Sequence, residues 1–253
     1  MADTSPHTHP ARRQTVVGLI LALAIFASWL TLHVFSMAAF TLSWASLPLA
    51  IGMALVQCWL SVGLFIVSHD AMHGSLFPRG GRANDLVGAF LLFIYAGFSW
   101  KRMRAAHFAH HRAPGSADDP DFSAQHPSRF WPWYSQFLRR YFGWQSAFFV
   151  IMVVLAYWLV LGVPVEKIVL LYGLPAIASS MQLFYFGTFR PHRHAADRFA
   201  DHHNTRTDDF AWAKSLATCF HFGYHHEHHL APHVPWWQLP EARRKSCDRQ
   251  APA

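Results

Sequence analysis

The chain has 253 residues, 53% of them hydrophobic and only 14% charged, with a formal net charge of +7. A soluble domain carries roughly a quarter charged residues, so this composition excludes an ordinary soluble protein and points to one membrane-embedded unit. Three cysteines with no CxxC pair indicate neither a disulfide framework nor a thiolate metal site.

Residues 1–14 are polar and close on Arg12-Arg13, so they read as a disordered tail in which His7 and His9 are solvated. Residues 16–35 are almost wholly apolar. About 20 helical residues span the hydrocarbon core, whereas a signal peptide has an apolar region of only about 7–15. The spacing therefore predicts an uncleaved spanning helix, with His33 at its interfacial end. A second apolar run, 47–68, begins near Pro48, where a helix tolerates proline, and runs directly into His69. The short link between the two runs predicts an antiparallel hairpin.

Residues 86–98 are apolar but too few for a full crossing, which predicts a re-entrant or interfacial segment. Residues 112–146 are polar and aromatic. Trp131, Trp133, Tyr134 and Trp144 are expected at the headgroup level, where amphipathic rings collect. Residues 147–163 and 168–189 are the third and fourth spanning candidates, separated by a turn at Pro164-Val165-Glu166-Lys167, and Pro175 is expected to kink the fourth. Pro235-Trp236-Trp237 reads as another interfacial anchor, and residues 241–253 as a frayed basic tail. The expected architecture is all-α: four transmembrane helices, a short re-entrant segment and a histidine-rich cap, with residues 15–240 as one domain.

Of the 21 lysines and arginines, Lys167 alone falls in the two turns placed outside. The positive-inside rule then puts both termini and the cap in the cytosol. The basic excess is accounted for by orientation, with anionic lipid or an acidic protein as further partners; no motif supports nucleic acid binding.

Three histidine runs carry the chemistry: His69-Asp70-Ala71-Met72-His73, His107-Phe108-Ala109-His110-His111 and His225-His226-Glu227-His228-His229. Helix positions i, i+3 and i+4 share one face, so each run can aim its rings at one point. Neutral imidazole is the commonest protein metal ligand. Sixteen of the 19 histidines lie between His69 and His233. His69, His73, His107, His110, His111, His225, His228 and His229 exceed the roughly four ligands of a zinc site and suffice for two metals with open positions. Imidazole suits iron, zinc, copper and nickel alike, so ligand type does not select the metal. Asp70 and Glu227 are expected to orient a ring N–H from behind.

At these residues the chain resembles the membrane fatty-acid desaturase and hydroxylase superfamily, and within it the bacterial beta-carotene ketolases. The resemblance rests on His69 through Gly74, on His107 through Arg112 with Asp118-Asp119-Pro120-Asp121-Phe122, on Phe186-Gly187-Thr188-Phe189 with Pro191-His192-Arg193, and on Phe220 through Leu230. The boxes alone specify the superfamily; the longer strings together specify more, over residues 69–237. The resemblance implies two iron ions held by the eight box histidines, which form the catalytic set, and a ninth ligand near the end of the fourth helix. His192 is the choice, with His194, His202, His203, His221 and His226 as competitors. It implies oxidation of a beta-carotene ring carbon to a ketone, with dioxygen as co-substrate and electrons from a reduced ferredoxin, in a bacterial inner membrane. A carotenoid 3-hydroxylase or an acyl-lipid desaturase would use the same boxes. A metal transporter or storage protein is the reading from a different class, but transport sites lie near the bilayer midplane, whereas these histidines gather at one surface.

Overall fold

The computed structural model describes residues 8–194 and 199–250, which form helices and no strand. Helix α1 (Thr8–Val34) continues through a π turn, Phe35–Ala39. Helix α2 (Leu47–Met72) has Pro48 in its first turn, where the missing N–H breaks no hydrogen bond. Next come α3 (Gly81–Ala96), α4 (Trp100–Arg112), α5 (Phe130–Tyr141) and α6 (Trp144–Leu155), the last extended by a π turn, Ala156–Val160. Helix α7 runs Val165–His192. The cap holds α8 (Trp212–Cys219), α9 (His225–Leu230) and α10 (Leu239–Gln250).

Helices α1, α2 and α7 are long and apolar enough to cross a membrane, and α3 with α4 and α5 with α6 form two bent pairs that raise the number to five if each is one span. The α3–α4 pair bends by 103° and the α5–α6 pair by 85°. The first bend has a local cause. Gly97 closes α3 in the left-handed region at φ +66°, where its N–H reaches the Leu92 and Phe93 carbonyls. A Cβ there would also stand 2.6 Å from the Phe149 Cβ, so both conformation and close packing require glycine. The short apolar segment therefore ends in a sharp turn that swings the second histidine run across the end of the bundle.

Helix α2 is the axis of the fold and packs against α1, α3 and α7. Its core residues Val62, Leu64 and Ile66 join Ile25 of α1 and Phe220 and Trp236 of the cap in one apolar cluster. Leu19, Ile20 and Leu23 of α1 and Phe148 and Ile151 of α6 stay exposed, an apolar outer belt suited to lipid.

Several local expectations change. The helix starts at Thr8, inside the stretch read as a tail, and residues 1–7, with His7, lie outside the described residues. The basic C-terminal stretch is helical to Gln250, and Arg243 donates to Glu227 at 3.2 Å, which ties it to the cap. His33 is buried, not interfacial: its ring stacks on Trp29 and its Nε2 meets the Tyr157 hydroxyl at 2.6 Å. Trp131 and Trp144 are exposed, but Trp133 and Tyr134 are core residues, because α5 turns that face inward. Trp236 likewise packs on Phe220. Pro175 and Pro191 each follow a π turn, Val169–Gly173 and Tyr185–Phe189, and this widening accommodates rings that lack an N–H while the helix continues.

Candidate metal centre

Each histidine run sits where a helix ends or a short helix begins. His69 lies in the last turn of α2 and His73 caps it; His107, His110 and His111 share one face of α4; His225, His228 and His229 ride on the six-residue α9; His192 is the last residue of α7. A six-residue helix is not stable by itself. Packing of Phe220, Phe222 and Trp236 into the α1–α2–α3 core fixes the cap that carries it.

These elements bring nine histidines into two adjoining groups. His69, His73, His107, His111 and His228 form one; His110, His192, His225 and His229 form the other; within each, one ring nitrogen per residue lies within 4.8 Å of all the rest. The groups touch where the His111 and His229 rings stack at 4.3 Å. In the first, His73 and His107 approach Nε2 to Nε2 at 2.6 Å, and His228 and His111 at 3.1 Å. His194, His202, His203, His221 and His226 stand outside both groups. Asp201 holds His226 at 2.8 Å, and His221 stacks near Trp236.

The second group has a defined proton pattern. His110 Nδ1 donates to Asp119 Oδ2 at 2.8 Å, and His192 Nδ1 donates to the Asn204 carbonyl at 2.8 Å. When both rings are in the neutral form that binds metal, Nε2 is then a lone pair. His192 Nε2 lies 3.0 Å from His225 Nε2, which lies 3.1 Å from His229 Nε2, which lies 3.2 Å from His110 Nε2. With acceptors at both ends, His225 and His229 must each point a proton outward, and those two protons then collide in the middle contact. No set of neutral tautomers satisfies all three contacts. Four lone pairs converging on one cation would. His69 has both ring nitrogens buried without a hydrogen-bond partner among the described residues, and His225 and His229 each have a bare Nδ1. Such orphans are uncommon in a folded interior. The nine residues therefore fit a pair of metal ions.

Burial, and after it the His69, His111 and His73 rings, pushes His228 well below the ordinary histidine range; burial and neighbouring rings do the same to His225 and His229. These rings stay neutral at pH 7, the form that binds metal. Burial alone would raise the Asp119 carboxyl, but its hydrogen bond with His110 and the N–H groups of Asp121 and Gly115 hold it below its usual range.

Asp119 is the residue that sequence reasoning missed. The Asp118-Asp119-Pro120-Asp121 string was visible, but nothing in it says which carboxylate reaches a ring. The two acids inside the boxes do other work. Asp70 Oδ1 is 3.8 Å from His69 Nδ1, too far for a hydrogen bond, and its Oδ2 accepts the Trp236 N–H at 3.0 Å. Glu227 accepts from Thr207 and Arg243. Both acids secure the cap instead of a ring. Arg190 donates to Asp208, tying the end of α7 to the loop before box three.

A cavity opens against both groups. His69, His107, His110 and His225 form one wall, and Phe65, Phe98, Met103, Phe137, Leu183 and Phe222 much of the rest. Gly187 and Thr188 of the π turn Tyr185–Phe189 also line it.

Fold and site together define a membrane-embedded polyhistidine protein whose metal-type centre faces an apolar cavity. The fatty acid desaturase family profile matches residues 42–154 and 127–253. A beta-carotene ketolase from a Paracoccus species is 48% identical over 243 residues, 95% of this chain and 98% of that protein. A second Paracoccus beta-carotene ketolase is 47% identical over 91% of this chain and 93% of its own length. A zeaxanthin 4-ketolase from Chlamydomonas reinhardtii is 32% identical, covering 94% of this chain and 56% of its own. The chain belongs to the fatty acid desaturase family, in its beta-carotene ketolase branch, and is an oxidoreductase.

Proposed function

We propose that the chain is a di-iron, dioxygen-dependent carotenoid 4-ketolase that converts beta-carotene through echinenone to canthaxanthin. The observation that carries this is the pairing of two adjoining histidine groups with an apolar cavity in a chain 48% identical to a beta-carotene ketolase along nearly its whole length. His69, His73, His107, His111 and His228 would hold one iron; His110, His192, His225 and His229 the other. Bound there, the irons supply the oxidising chemistry of dioxygen.

The remaining work falls to the chain. The apolar walls take up a hydrocarbon ring from the lipid and keep water away. Asp119 and the Asn204 carbonyl hold His110 and His192 with Nε2 turned inward. Each oxidation consumes one O2, two electrons and two protons, places one hydroxyl on the ring carbon and releases one water. The second yields a geminal diol at the same carbon, which loses water to give the ketone. The electrons come from a reduced ferredoxin, and Lys101, Arg102, Arg139 and Arg140 are basic residues that would attract an acidic donor.

Four crossings, a cytosolic cap and a single domain over residues 15–240 complete the proposal, in a bacterial inner membrane. Expression in cells that accumulate beta-carotene tests it, with pigments resolved by mass spectrometry. Echinenone and canthaxanthin are the expected products. Pigment hydroxylated only at carbon 3 would make the chain a 3-hydroxylase, and desaturated acyl lipid with untouched pigment would make it a desaturase.

A further inference from the structure

The cavity beside the histidines is mostly apolar, and apart from the histidines Asp121 is the one ionic side chain among its lining residues. Asp121 ends the Asp119-Pro120-Asp121 string, Tyr141 is the last residue of α5, and both line the cavity. Tyr141 donates its hydroxyl to Asp121 Oδ1. The Asp121 backbone is held on both sides: its N–H donates to Asp119 Oδ1 at 2.8 Å, and its carbonyl accepts from Trp133 Nε1 at 2.7 Å. Polar side-chain atoms of Asp121, Asp119 and His110 lie within 4.8 Å of one another, so the carboxylate stands beside the second histidine group. Among the described residues the hydrogen bond to its side chain is to Oδ1, from Tyr141.

A hydrocarbon ring makes no use of a carboxylate, and a buried carboxylate favours further hydrogen bonds beyond the one that Tyr141 gives its Oδ1. The first oxidation creates such a donor. We infer that the Asp121 carboxylate, steadied by Tyr141, accepts a hydrogen bond from the hydroxyl that the first oxidation leaves on the substrate, and so keeps that same carbon facing the histidines for the second. The inference rests on the ketolase reading above and names the residue that carries the reaction past the alcohol. Asp121 undergoes no covalent change. It is a positioning group, and it converts a single hydroxylation into two at one carbon.

The test is the partition of products by the whole enzyme in membranes of a carotene-accumulating host. In Asp121→Asn the ratio of 4-hydroxy to 4-keto carotenoid should rise about tenfold or more, the size of one hydrogen bond to a charged group. In Tyr141→Phe, which keeps the carboxylate, it should rise several-fold. A folding or metal-loading defect would instead lower both products together at an unchanged ratio, and that result in both variants overturns the inference. Wild-type membranes supply a second measurement: KM for the 4-hydroxy carotenoid should be about tenfold below that for beta-carotene, and Asp121→Asn should erase the difference. Equal values in wild type overturn the inference while leaving the ketolase reading intact. Wild-type pigment with no oxygen at carbon 4 overturns both.

Discussion

For each histidine of the centre, the second ring nitrogen decides what the first can do. Asp119 fixes His110, and the Asn204 carbonyl fixes His192. Losing such a partner lowers metal affinity by about 10–100-fold in comparable sites, so Asp119→Asn should bind iron that much more weakly while folding normally. Iron per protein at graded free iron measures this, and wild-type affinity would relieve Asp119 of the role. His228→Ala goes further: it removes a nitrogen from the first group, so product formation should vanish and bound iron should fall. Retained ketone with a full iron complement would take His228 out of the ligand set.

Helix α2 and the cap meet through a glycine. A Cβ on Gly63 would lie 2.7 Å from Phe220 Cζ and 2.9 Å from Ile25 Cγ2, both of them atoms of buried core residues. Overpacking of this kind typically costs about 1–3 kcal/mol. Gly63→Ala should therefore lower the melting temperature in detergent and loosen the cap that carries box three. At Gly52, in the same helix, an added methyl would meet nothing within 4 Å. There alanine should stabilise by about 0.5–1 kcal/mol through helix propensity alone. If both substitutions behave alike in a thermal melt, the close approach at Gly63 is not what sets stability.

Across the whole molecule, charge and apolar surface agree. Leu19, Ile20, Leu23, Phe148 and Ile151 face outward from the bundle, and of the 21 lysines and arginines only Lys167 lies in the two turns assigned outside. Lys167 is itself buried and donates to the Met37 carbonyl at 3.0 Å, which satisfies its ammonium inside the protein. Both termini are expected in the cytosol. A C-terminal fluorescent protein fusion should therefore glow, and the matching alkaline phosphatase fusion should stay inactive. The opposite pair of results would invert the topology and place the histidine cap on the other face.

The sequence by itself determined the membrane class, the apolar helices and the three histidine runs, because hydropathy and i, i+3, i+4 spacing are local properties that a linear string records; the choice of His192 rests on the family resemblance alone. It also showed an Asp118-Asp119-Pro120-Asp121 loop without saying which acid serves which partner. Only the tertiary structure decided that nine rings divide into five and four, that Asp119 and not Asp70 or Glu227 supports one of them, that Trp133, Trp236 and His33 turn inward, and that Asp121 faces the cavity. Those outcomes depend on the sharp turn at Gly97 and on the docking of the cap against α2, which bring residues more than a hundred positions apart within hydrogen-bonding distance, as His228 and His111 are. Local spacing fixes which face of a helix a ring occupies; long-range packing fixes what that face meets.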